Sequence, residues 1–187
     1  IMEGDVIKGV IVESKAGREA ILAKRVIDAT GDADVAHRAG AITLKQAKED
    51  MIGASVMFSM SGVNKTRFID HVKADPQTYR DWAYGQWTVE TTGKEDEMFS
   101  PFLRKPFEKA REAGLIPEHL DTISGTWGAI YDTGDLTYLN LVHLLGYDGT
   151  DPNDLTRGEM EGRKQAMLAI EALKQYTPGC ENAKLRN

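Results

Sequence analysis

Cysteine is almost missing from this chain, with Cys180 alone in 187 residues. An internal disulfide, a thiolate zinc cage and a CxxC redox pair are therefore excluded. No run approaches the roughly 20 apolar residues that a membrane span needs, and Glu3, Asp5 and Lys8 charge the start where a secretory signal would be apolar. No membrane partner and a cytoplasmic location are the expectations that follow. Basic residues are outnumbered, 23 against 29 acidic for a net charge of −6, and they are dispersed, so electrostatics give no reason to expect nucleic acid. With 18 Gly and 6 Pro the chain has too few of either for a disordered or fibrous protein. It also lacks internal repeats and heptads, which removes solenoids and coiled coils.

Several catalytic signatures are absent too. There is no GxxxxGK[ST] loop, and His37, His71, His119 and His143 stand far apart with no HExxH spacing. Ser55 lacks the Gly two residues later that a nucleophile elbow requires. Asp148, Asp151 and Asp154 recur every third residue, but without the order of a calcium loop they read as a solvated acidic loop, and no metal site is predicted.

What is present is an alternation of short strands and helices. Val6 to Val12 and Ala20 to Ala23, separated by Ser14-Lys15-Ala16-Gly17, predict a β-hairpin. Val26 to Ala29 reads as a third strand, running into a two-turn helix over 32–39 with Asp32 as N-cap and Gly40 as stop. A strand over 55–60 precedes a helix capped by Asn64, carrying Phe68, Ile69 and Val72 and ending at Asp75-Pro76. Residues 76–98 carry no decisive pattern. Ser100-Pro101 reads as the start of a helix bearing Leu103, Phe107 and Ala110, kinked or restarted at Pro106 and ended by Gly114. A second hairpin is predicted from 126–131 and 136–143 around Asp132-Thr133-Gly134-Asp135. A last helix, opened by a Thr156/Glu159 capping box, runs to about Tyr176, with Met160, Met167, Ile170 and Leu173 on its apolar side.

The segment most suggestive of chemistry is Val26-Ile27-Asp28-Ala29-Thr30-Gly31-Asp32. A strand, a turn of small residues and a helix start can offer backbone N–H groups and a helix dipole to a diphosphate. Ala29 and Gly31 would let such a ligand approach the main chain. A plain strand-to-helix connection capped by Asp32 accounts for the same seven residues.

The hairpin followed by Lys24-Arg25-Val26-Ile27-Asp28-Ala29-Thr30-Gly31-Asp32-Ala33-Asp34-Val35-Ala36 resembles the ATG-motif region of FAD-dependent oxidoreductases of the glutathione-reductase-like superfamily. Asn140, the stretch Gly146 to Thr156, Glu159 to Arg163 and Pro178 to Ala183 resemble a bacterial group of FAD-dependent oxidoreductases. The resemblance implies an α+β (mixed α/β) chain: a β-meander remnant of a Rossmann-type FAD domain over 1–45, an inserted substrate domain over 46–155, and a long helix with its tail over 156–187 returning to the FAD domain. It places Ala29, Thr30, Gly31 and Asp32 against FAD and implies hydride transfer between FAD and a small-molecule substrate. It leaves His143 as a candidate proton donor and Arg163 as a candidate fork for a substrate carboxylate. For Arg163 an ion pair with Glu159 one helical turn earlier, and for His143 a half-buried strand position, are the non-catalytic readings.

The family's GxGxxG turn occurs nowhere in the chain, and the first residue is Ile1. The expectation is an internal fragment, doubtful as an FAD binder alone and inactive by itself. Its partners would then include the remainder of its own chain, and its uncovered sheet edge would invite a homo-oligomer. The competing reading is a non-catalytic α+β binding or scaffold module.

Overall fold

Two residues, Lys15 and Ala16, turn the first hairpin. In the computed structural model, which describes residues 1–75 and 102–187, the chain divides into two compact units, Ile1–Ala47 and Lys48–Asn187. The first unit opens with β1 (Met2–Glu3) paired to β2 (Val6–Ile7), and continues with β3 (Gly9–Ser14) antiparallel to β4 (Gly17–Leu22). The hairpin follows from its β-branched strands, and the turn from Ser14, whose Oγ accepts the Ala16 N–H, and from Gly17 at φ 103°. Gly9 is the one buried residue of this unit, and a Cβ there would lie 2.2 Å from the Ile21 carbonyl oxygen.

The predicted strand over Val26–Ala29 does not form. Strand geometry needs a neighbour to take its ladder hydrogen bonds, and among the described residues this segment has none. Ile27 is accordingly 89% exposed. The helix that follows, α1, is shorter than expected, Asp34–Arg38, and Asp32 does not cap it: the cap position is Ala33, in left-handed geometry at φ 58°. Gly40 ends it as predicted, at φ 86°.

The second unit holds the core. Its elements are β5 (Ala54–Ser55), β6 (Phe58–Ser61), α2 (Lys65–Ala74), β7 (Phe102–Leu103), α3 (Lys105–Glu112) and β8 (Gly125–Thr126), then β9 (Ala129–Ile130), β10 (Leu136–Leu139), β11 (His143–Leu144), α4 (Pro152–Tyr176) and β12 (Lys184–Leu185). An antiparallel sheet of order β12-β6-β10-β9 forms its centre, and β11 with β5 and β7 with β8 make two smaller pairs. One cluster of buried side chains joins this sheet to the three helices. In it Phe68 of α2 meets Trp127 edge to face, ring centroids 5.2 Å apart. Burying either ring contributes on the order of 2–3 kcal/mol.

Asn64 caps α2 as the sequence predicts, its side chain accepting the Arg67 N–H at 3.1 Å. The second hairpin, β9 to β10, also forms around the predicted turn. Four expectations are corrected. The strand over 55–60 is two strands, broken at Val56-Met57. Leu103 belongs to β7, and the helix starts after it with Pro106 in its first turn, where a missing N–H costs nothing. The long helix begins at Pro152 rather than at Thr156, because Asp151 caps it through the Asn153 N–H while Glu159 turns to Arg163. Its buried side is made by Gly158, Gly162, Ala166, Ala169, Ile170 and Leu173, whereas Met160 and Met167 are exposed. The undecided segment 76–98 and the predicted Ser100-Pro101 helix start lie outside the described residues. The fold is thus mixed helix and strand with small antiparallel sheets, as the α+β expectation has it.

Candidate functional site

Asp28 organises the turn that the sequence singled out, from a position not assigned a role. Its Oδ1 accepts the Thr30 N–H and the Thr30 hydroxyl at 3.1 and 2.7 Å, and its Oδ2 accepts the Ala36 N–H at 2.9 Å. Thr30 Oγ1 in turn accepts the Asp34 N–H at 2.8 Å. The first turn of α1 is therefore satisfied by Asp28 and Thr30 rather than by Asp32. The Ala36 amide, then the Thr30 hydroxyl, hold the Asp28 carboxyl below the ordinary carboxylate value.

This changes which groups can meet an anion. The α1 terminus already faces a carboxylate, so the accessible donors are the N–H groups of Gly31, Asp32 and Ala33, which have no hydrogen-bond partner among the described residues. Gly31 at φ 90° and Ala33 at φ 58° hold the left-handed conformations that curve consecutive N–H groups into a concavity. Ala29, Thr30, Gly31 and Asp32 are all exposed, and a Cβ at Gly31 would meet nothing within 4 Å. A dinucleotide's charged linker can reach this main chain without displacing a side chain.

A signal for Asp28 is present in the sequence: Asp followed two residues later by Thr, the pattern of a side-chain turn. It recurs at Asp148-Gly149-Thr150, where Asp148 Oδ1 accepts the Thr150 N–H and hydroxyl at 2.9 and 2.7 Å just before α4. The predicted solvated acidic loop is corrected here. Asp154 is 1% exposed, accepts the Asp148 N–H at 2.9 Å, and pairs with Lys48 and Arg157. Among the described residues no cluster of His, Cys, Asp and Glu could hold a metal ion. Cys180 is buried, and burial pushes its thiol up to about 12, so it is no nucleophile at neutral pH.

The two candidate catalytic residues sit in separate settings. Arg163 is exposed on α4 and grips Glu159 Oε1 through Nε at 2.7 Å and Nη2 at 2.6 Å. His143 is half-buried on β11, directly across from Ser55 on β5. Its Nε2 lies 3.0 Å from the Ser124 carbonyl, which can only accept, so that nitrogen carries the proton and Nδ1 presents its lone pair to the Ser55 hydroxyl at 3.4 Å.

The second unit also carries an open cleft of about 670 Å³, lined by Ser59, Tyr131, Thr133, Asp135, Tyr138 and Arg186 among others. Sequence reasoning missed it. Between Leu136 and Leu139 β10 gains one residue over β6, where Leu136 faces Met60 and Leu139 faces Phe58. Tyr138 sits in this bulge at φ 54°, a conformation that costs a non-glycine residue on the order of 1–2 kcal/mol, and it is turned outward, 60% exposed. Gly128 lies beneath it; a Cβ there would come within 2.8 Å of Tyr138 Cβ.

The family model described as FAD dependent oxidoreductase matches residues 1–187. The chain belongs to this family. No curated protein and no solved structure matches it. The family is FAD-dependent by its description, and the open Gly31 backbone and the amides of residues 31–33, unpartnered among the described residues, would fit a dinucleotide's linker. Among the described residues of this FAD-dependent oxidoreductase no helix is long and apolar enough to cross a membrane.

Proposed function

We propose that this chain works within a flavoenzyme that passes hydride between FAD and a small-molecule substrate, with Ala29, Thr30, Gly31 and Asp32 lying along the cofactor. When bound, FAD supplies the two-electron chemistry. This chain's residues would hold and orient it: the N–H groups of residues 31–33 would receive its phosphates, with Asp28 and Thr30 fixing the turn that carries those amides. Family membership and the open main chain at Gly31 support the reading. Tight binding would also require a GxGxxG turn, which these 187 residues lack.

His143 is the residue proposed to exchange a proton with substrate. Its fixed Nε2–H tautomer leaves Nδ1 as a ready acceptor beside Ser55. Arg163 is spoken for by Glu159 and is not assigned to substrate.

The test is the flavin content of the protein expressed from its complete reading frame. Flavin absorption is expected in the purified protein and is expected to be lost in Gly31→Val. Gly4→Val is the control, since Gly4 also has positive φ and open surroundings, at 56°. Colourless wild-type protein, or a Gly31→Val variant as yellow as the Gly4→Val control, would refute the assignment. Once a substrate is known, His143→Gln should slow turnover of the flavin-loaded enzyme; unchanged turnover removes His143.

A further inference from the structure

We infer that Ser55, rather than the imidazole itself, is the group that meets substrate: its hydroxyl takes a proton from a substrate O–H or N–H while handing its own to Nδ1 of His143. This rests on the proposal above that His143 exchanges a proton with substrate, and it is tested without flavin.

Both nitrogens of the ring are engaged. Nε2–H donates to the Ser124 carbonyl at 3.0 Å, and Nδ1 faces the Ser55 hydroxyl at 3.4 Å, a length ordinary for a base before substrate binds. No ring nitrogen is left for a substrate to reach directly. Because the Ser124 carbonyl can only accept, the direction of the chain is fixed, and Ser55 donates its one hydrogen inward to Nδ1. What Ser55 turns outward is lone pairs. A substrate bonded to it must therefore donate, which makes the pair a proton acceptor.

The strands put this pair within reach of solvent. Ser55 of β5 and His143 of β11 are direct cross-strand partners, while Leu144, which alternates to the other face, is 3% exposed. Ser55 is exposed and His143 half-buried, so the hydroxyl is the outer member. The Thr122 hydroxyl donates to the His143 carbonyl at 3.0 Å, and Gly125 lets β8 pass close to the ring, since a Cβ there would lie 3.3 Å from Nε2. Leu145, 63% exposed, lies against Gly53 two residues before Ser55, where a Cβ would meet its Cδ2 at 2.9 Å. The substrate that suits this place carries a hydroxyl or amine beside an apolar group. In the step, the substrate O–H or N–H bond breaks and its proton bonds to Ser55 Oγ as the former Ser55 proton bonds to Nδ1. Ser55 ends neutral, His143 ends as the imidazolium, and the substrate keeps the electron pair.

The experiment treats the protein with para-nitrophenyl acetate, which reports a hydroxyl whose proton a neighbouring base removes. Ser55 Oγ bonds to the acetyl carbon, the bond to para-nitrophenolate breaks, and the Ser55 proton goes to Nδ1. Peptide mass mapping should place the acetyl group on Ser55, at least tenfold faster than in His143→Gln. The rate should climb as the imidazole loses its proton, followed by its own NMR signal, and then level off. Long-range proton–nitrogen NMR of the untreated protein should show the hydrogen on Nε2. A histidine held only for packing would move neither the rate nor its pH profile. Acetyl on His143 itself, a Ser55 no faster than in His143→Gln, a rate indifferent to the imidazole's titration, or a hydrogen on Nδ1 would each overturn the proposal. Colourless protein with a reactive Ser55 sinks the flavin assignment alone; yellow protein with an inert Ser55 sinks this inference alone.

Discussion

Asp28 shows how one side chain can set a turn. Its proton affinity is lowered on folding, first by the Ala36 amide and next by the Thr30 hydroxyl. Its contribution is therefore complete above the ordinary Asp value of about 4 and is lost as pH falls through the lower value of the folded turn. Protection of the Ala36 and Asp34 amides against exchange, relative to an unfolded chain at the same pH, should fall over that acidic window and, in Asp28→Asn, already at neutral pH. Equal exchange in the two proteins at pH 7 would deny the carboxylate this role. Gly125 makes the opposite case, a residue chosen for what it lacks. At φ 153° its missing Cβ would lie 1.9 Å from the Asn140 carbonyl oxygen, so Gly125→Ala should lower unfolding stability by about 2 kcal/mol or more in urea titration. Asp154, buried against Lys48 and Arg157, should also be sensitive. Asp154→Ala leaves the Asp148 N–H without its acceptor while the half-exposed Lys48 and Arg157 turn to water, and a loss of about 1–3 kcal/mol is expected in the same assay.

At the scale of elements, what could be read in advance was what is decided locally. The β3–β4 hairpin rests on β-branched residues and a four-residue turn signal, and α2 on a cap and its own apolar spacing, so both are visible within a dozen residues. Val26–Ala29 has strand composition but no neighbour to pair with among the described residues, and composition does not reveal that. The start of α4 was displaced by one competing cap: Asp151-Pro152 satisfies the first turn before Thr156 is reached. The ATGD turn was legible as a small-residue connection, while its organiser Asp28 was hidden in an apparent strand. The cleft was not legible at all. Tyr131 and Asp135 belong to one hairpin, but Ser59 and Arg186 join them only through β6 pairing with β10 and β12, contacts between distant parts of the chain. Within the core the Phe68–Trp127 contact ties α2 to the loop after β8, and Phe68→Ala should lower stability by about 3–5 kcal/mol.

At the scale of the whole molecule, the two units of this FAD-dependent oxidoreductase family member differ in how they are built. Lys48–Asn187 carries the buried aromatic and aliphatic cluster, whereas Ile1–Ala47 buries Gly9 alone. Both faces of the hairpin are apolar, Ile11 and Leu22 on one and Val10, Val12 and Ile21 on the other. A solitary two-stranded sheet of this kind is marginal in water. Self-association through it is proposed, and Ile11→Lys with Ile21→Lys should shift sedimentation toward monomer; a wild-type protein already monomeric at high concentration would exclude the idea.

The near absence of interior in Ile1–Ala47 also bears on how the protein would meet a protease. Lys24 and Arg25 sit in an exposed, unpaired stretch immediately after β4, while the basic residues of α4 are wound into 25 residues of helix. Brief trypsin digestion should clip at that dipeptide before it cuts within the long helix.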